Sequence, residues 1–175
     1  VLFRSTRKNL TTTNVAKYVL KTIGKPNATK VLFLNQSKME ADYLRCLTVH
    51  GFKVLLKDMC HDYPKLSHLY SSFKNKQNIY GKGMNYACKL DETRYRNDNL
   101  DQHIEEHIKS HYYDLIVFPF LHKVDKAQLS LVDTFYSPDE IVILCGEDIH
   151  DCSIPKEFLK YNLFIREKQC ASSIN

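Results

Sequence analysis

Asp114–Leu121 (DLIVFPFL) is an unbroken apolar run opened by one acid. A strand with one wet face alternates apolar and polar residues. A run without alternation is buried on both faces, as in a parallel sheet with helices on either side. Ile141–Cys145 (IVILC) and Lys30–Asn35 (KVLFLN) have the same character. Asp125–Phe135 between the first two reads as a helix, capped by its leading acid.

Working outward, residues 12–24 form a helical stripe through Val15, Tyr18, Val19 and Ile23, capped by Thr12 or Thr13 and stopped by Gly24 and Pro26. Ser37-Lys38-Met39-Glu40 has capping-box spacing. The helix it opens is expected to run to about His50, burying Met39, Tyr43 and Leu47, with Gly51 as its left-handed terminus. Lys53–Lys57 (KVLLK) is then read as the second strand. A helix near Leu100–Ser110, a short helix starting at Pro155 and a strand Leu163–Arg166 complete the series.

This alternation predicts an α/β fold: a doubly wound, mainly parallel five-stranded Rossmann/flavodoxin-like sheet of order 2-1-3-4-5. Residues 1–29 are an N-terminal extension with one helix, 30–170 the α/β domain and 171–175 a tail. Val1–Ser5 (VLFRS) matches the in-frame translation of a common sequencing adapter and carries no structural weight.

One stretch breaks the regularity. Residues 60–97 show neither helical nor strand period and carry Tyr63, Tyr70, Tyr80, Tyr86 and Tyr95 among lysines and histidines. Loops longer than about 15 residues are mostly functional or disordered, and disorder is poor in aromatics. The Tyr-rich insertion after the second strand is therefore expected to wall a ligand cleft, with Tyr63, Tyr70 and Tyr80 stacking on the ligand. In a doubly wound sheet that cleft lies beyond the strand carboxyl ends, between the first and third strands. Asn35, Gln36 and Ser37 then stand opposite Phe120, Leu121 and His122, with Gly146, Glu147 and Asp148 one strand further on.

The net charge is +5 and 43% of residues are apolar. Residues 1–39 carry Arg4, Arg7, Lys8, Lys17, Lys21, Lys25, Lys30 and Lys38 without an acid. No basic cluster of nucleic-acid type stands out, so nucleic acid is not an expected partner. No run approaches the ~18 apolar residues of a membrane helix, and no signal peptide is evident. The six cysteines include no Cys-x-x-Cys pair, which fits reduced thiols in a cytoplasmic protein.

Other motifs have plainer readings. His103-Ile-Glu-Glu106-His107 matches an inverted zinc motif, continued by His111, but lacks a third ligand. A solvated helix face explains it better, and no metal is expected. Gly81-Lys82-Gly83 has neither the Walker spacing nor a preceding strand, so turn glycines explain it. Cys145 to Cys152 follows no zinc spacing, and no Gly-x-Ser-x-Gly elbow exists.

Asp62-Tyr63-Pro64, His68-Leu69-Tyr70, Tyr80-Gly81-Lys82-Gly83, Tyr113-Asp114-Leu115-Ile116-Val117, Gly146-Glu147-Asp148 and Phe164-Ile165-Arg166-Glu167 follow one another in an order that resembles a glycosyltransferase-like domain. That domain occurs in microbial and viral polysaccharide-related proteins and is similar to CgeB-type proteins. The resemblance spans about residues 30–168. It implies the N-terminal half of a two-domain GT-B-type sugar transferase, which binds an acceptor or part of a nucleotide sugar and partners a C-terminal half absent from this chain. It implies no firm cofactor beyond a nucleotide-sugar substrate. Gly81 and Gly83 join the ligand-binding candidates on this basis, and only His122 or Lys123 could supply the basic residue expected after the third strand. The alternative is a non-catalytic α/β ligand-binding or protein-interaction module.

Overall fold

All four residues of the strand Leu115–Phe118 (β3) are buried, as their unbroken apolar run requires. The computed structural model describes residues 11–36, 42–75, 79, 86–146 and 154–166. β3 lies at the centre of a five-stranded sheet with β1 (Val31–Leu34), β2 (Cys60–Tyr63), β4 (Ile141–Cys145) and β5 (Asn162–Ile165), in the order β2-β1-β3-β4-β5. Every pairing is parallel. The doubly wound α/β architecture read from the sequence is therefore the observed one.

Alternate strand residues feed two apolar layers. Val31, Phe33, Cys60, Leu115, Val117, Val142 and Leu144 pack beneath helices α1 (Thr12–Thr22) and α2 (Tyr43–Leu56), which contribute Ala16, Val19, Leu20, Cys46, Val49 and Phe52. Leu32, Leu34, Ile116, Phe118, Ile141, Ile143 and Cys145 face the other way. They meet Ile108, Leu129 and Val132. A single helical turn, α3 (Glu92–Tyr95), precedes helices α4 (Ile104–Lys109) and α5 (Lys126–Phe135), which cover this second face. The N-terminal helix is thus buried in the same layer as β1. Its cap is Thr11, whose hydroxyl accepts from Asn14 N at 3.2 Å.

One expected element is overturned. Lys53–Leu56 is the last turn of α2, not a strand, because Val49, Phe52, Lys53 and Leu56 repeat at helical spacing. Gly51 does not end that helix. A Cβ there would lie 2.0 Å from the backbone oxygen of Thr12, so the glycine lets α1 and α2 approach closely. The true second strand, Cys60–Tyr63 (CHDY), pairs Val31 with Cys60 through to Leu34 with Tyr63. The expected capping box and Met39 lie outside the described residues; the α2 cap is Asp42, whose carboxylate accepts from Arg45 N at 2.6 Å.

The Tyr-rich insertion therefore starts after Tyr63. Its described part holds a 3-10 turn (Ser67–Leu69), an isolated bridge between Tyr70 and Leu90, and α3. The helix expected at Leu100–Ser110 is a 3-10 stretch, Asp98–His103, running into α4. The one expected at Pro155 shrinks to a 3-10 turn, Lys156–Phe158. Among the described residues no helix is long and apolar enough to cross a membrane.

Candidate functional site

The strand order places the ends of β1 and β3 side by side, where the connections diverge to opposite faces. Asn35 follows β1 directly. Its backbone N donates to Tyr63 O at 2.6 Å, and its side-chain Nδ2 donates to Pro64 O at 2.9 Å. These bonds tie the end of β1 to that of β2 and orient the amide. Asn35 is only 1% exposed, yet among the described residues nothing donates to its Oδ1. The Gln36 amide is in the same condition, with Oε1 and Nε2 both buried and unpartnered. A buried amide group without a partner costs about 1–3 kcal/mol, so three such atoms at one strand end call for an explanation.

The walls of this edge come from neighbouring elements. The Arg45 guanidinium lies over the Phe120 ring at 5.6 Å, joining the first turn of α2 to the segment after β3. Lys123 Nζ sits 4.9 Å from the same ring. Gly146, just past β4, lies against the start of α2. A Cβ there would come within 2.6 Å of Leu44 Cβ and 2.8 Å of Asp42 Oδ1.

Beside this edge lies a buried charge network organised by β2. Asp62 is fully buried, and its Oδ1 receives Lys53 Nζ at 2.8 Å, Arg96 Nη1 at 2.9 Å and the Tyr70 hydroxyl at 2.6 Å. Its Oδ2 accepts from Leu66 N at 2.9 Å. Burial pushes the carboxyl up, but Lys53 and Arg96 overcome that and hold it at about 2. Arg96 Nη1 also donates to the Asp62 carbonyl at 2.7 Å. The neighbouring Tyr63 carbonyl faces β1, so that of Asp62 points away from the sheet. The far side of Arg96 grips Asp98 and Asp101.

Asp101 in turn accepts from His61 Nε2 at 2.6 Å, and the other ring nitrogen meets the Tyr113 hydroxyl at 2.7 Å. A carboxylate only accepts, so Nε2 carries the proton and Nδ1 accepts from tyrosine in the neutral ring. Burial, first, lowers the His61 pKa. Each carboxylate here is held by structural donors, which makes this network a brace for the fold. Cys46 Sγ and His68 Nε2 meet at 3.3 Å, but both are buried, and burial pushes the thiol up to about 11. Such a thiol stays protonated and is a poor nucleophile.

The sequence-derived candidates divide accordingly. Asn35, Gln36, Tyr63 and Gly146 follow or end their strands on the carboxyl edge, with Tyr63 half-buried. His122 is exposed on the 3-10 turn Leu121–Lys123 after β3. Tyr70 is not a stacking face. It is 0% exposed because its hydroxyl completes the shell around Asp62. Ser37, Tyr80, Gly81, Gly83, Glu147 and Asp148 lie outside the described residues. His103 is exposed and engages Glu106 at 2.8 Å, and its ring meets that of His107 edge-on at 6.2 Å. Among the described residues no three metal-ligating side chains are grouped to hold an ion.

Sequence reasoning missed Arg45, Lys53, Asp62, Arg96 and Asp101. The one signal for Lys53 was its place on the buried stripe of α2, and Asp62 stood only within the motif Asp62-Tyr63-Pro64; none marked Arg45, and none marked Arg96 or Asp101 as parts of a network centred on a strand far away in the chain. No family model matches this chain, and no curated protein or solved structure matches it.

Proposed function

We propose that this chain is the ligand-binding N-terminal half of a GT-B-type sugar transferase, and that its ligand, an acceptor glycan or part of a nucleotide sugar, sits at the carboxyl edge between β1 and β3. One observation carries the placement: three unpartnered, buried amide atoms of Asn35 and Gln36 cluster at the end of a central strand, where doubly wound sheets take their ligands. The choice of a sugar rests on the motif resemblance, and half-buried Tyr63 fits it as an aromatic face with a polar tip.

The test is heteronuclear NMR of the full chain titrated with nucleoside-diphosphate sugars and neutral oligosaccharides. Expected are saturable shifts at Asn35, Gln36, Tyr63 and Phe120. Shifts confined to the opposite edge, around Lys25 and Asp114, or none with any of these compounds, would sink the proposal.

A second reading, a non-catalytic binding module, is favoured by one observation. Asp42 at the start of α2, Asp62 of β2 and Asp101 beside it are all committed to structural donors. Glycosyl transfer by the natural full-length protein supports the first reading. Saturable binding without transfer or donor hydrolysis supports the second.

A further inference from the structure

We infer that the end of β1 recognises a neutral, hydroxyl-bearing part of the ligand, and that it selects against phosphate. This rests on the carboxyl-edge reading above and deepens it. Asn35 Nδ2 donates to Pro64 O, which fixes the amide so that Oδ1 is the free atom. An amide in either orientation offers one oxygen and one NH2, so Gln36 adds one acceptor and one donor group. Between these two side chains the unsatisfied set is therefore two acceptors and one donor group. A fully ionised phosphate only accepts, and it would leave both oxygens facing lone pairs. A hydroxyl both gives and receives, and two neighbouring sugar hydroxyls satisfy all three atoms.

Lys123 is an exposed cation on this edge, but the helix-terminus position is unfavourable to an anion. In many phosphate sites the anion sits on the first turn of the helix after β1. Here that turn is already capped by a carboxylate of its own, Asp42, whose oxygens lie against Gly146. Arg45 does not reverse this. Its guanidinium is 1% exposed and engaged within the fold over Phe120.

The experiment follows the side-chain amide resonance of Gln36 in the full chain. The probes are methyl glycosides of glucose, galactose, mannose and N-acetylglucosamine, and separately inorganic pyrophosphate. Expected is a saturable shift with at least one glycoside and none with pyrophosphate. Gln36→Met removes only atoms that bond to nothing among the described residues, so it is expected to fold with unchanged or higher stability and to weaken glycoside binding about tenfold. If pyrophosphate moves the resonance and no glycoside does, this inference is overturned while the carboxyl-edge reading stands. Unchanged glycoside affinity in Gln36→Met overturns it as well. If no probe moves the resonance, the inference is overturned, and the carboxyl-edge reading stands or falls on the titration with nucleoside-diphosphate sugars and oligosaccharides.

Discussion

β2 and β3 lie two places apart in one sheet and are held by opposite chemistry. β3 is four apolar residues whose burial needs no partner beyond close packing. β2 reads Cys-His-Asp-Tyr, and its first three residues are just as buried. What allows this is a set of remote donors: Lys53 from α2, Arg96 after α3, Tyr70 from the insertion and Tyr113 ahead of β3. A polar strand can therefore occupy a parallel sheet if every buried acceptor and charge finds a partner. The cost is dependence: β3 relies on shape, whereas β2 relies on particular atoms from four other places.

The largest test removes one member of the set. Asp62→Ala leaves Lys53 buried without its counter-charge and is expected to lose about 3–5 kcal/mol in urea unfolding. The combined replacement Lys53→Met, Asp62→Leu, Arg96→Leu should be less damaging than Asp62→Ala, since no lone buried charge remains. A combined variant far less stable than the single one would show that the ions hold β2 by more than mutual neutralisation.

Acid should separate the strands next. The Asp62 carboxyl is depressed from 3.8 to about 2. The stability it lends is complete above about pH 4 and fades as pH falls through about 2, a loss of about 2 kcal/mol. Asp62→Asn should flatten that part of the acid-unfolding curve. His61 acts higher on the scale and in the same sense. Its pKa is lowered from 6.5, so its contribution is complete above that value and declines as pH drops below it. In His61→Gln the melting temperature should vary less between about pH 7 and pH 5 than in the parent chain.

Gly51→Ala tests the approach of α1 to α2, the helix that delivers Lys53. Alanine favours a helix by about 1 kcal/mol over glycine, but its Cβ would lie 2.0 Å from Thr12 O. A net loss of about 1–2 kcal/mol is expected by thermal unfolding, and a gain would refute the tight contact. Smallest should be Ile116→Val in β3, at about 1 kcal/mol, with no change in the acid-unfolding profile.

The same contrast explains what could be read from the sequence. DLIVFPFL and IVILC announce themselves because apolar burial is a local property of composition. CHDY does not, since its burial depends on residues far away in the chain, and KVLLK took its place by resembling a strand while continuing the stripe of α2. Gly51 resembled a helix terminus because a close helix crossing and a left-handed turn both select glycine. Asn35, Gln36 and Gly146 could be placed on the carboxyl edge because topology puts strand ends there whatever the side chains; Tyr63 was read inside the insertion and is the last residue of β2. Tyr70 was misplaced for the opposite reason: a tyrosine completing a buried carboxylate's shell and one facing a ligand look alike in a sequence.

Arg96 has a consequence for the company this protein keeps in solution. β2 is an outer strand, and an outer strand normally exposes main-chain groups that a second chain can zip onto, the first step toward fibrils and exchanged dimers. Through Arg96 the outward carbonyl of Asp62 is already occupied by a buried cationic side chain held by three acids. The residue that neutralises a buried acid also serves as a bumper. Its loss should appear in light scattering as self-association at concentrations where the parent chain remains dispersed.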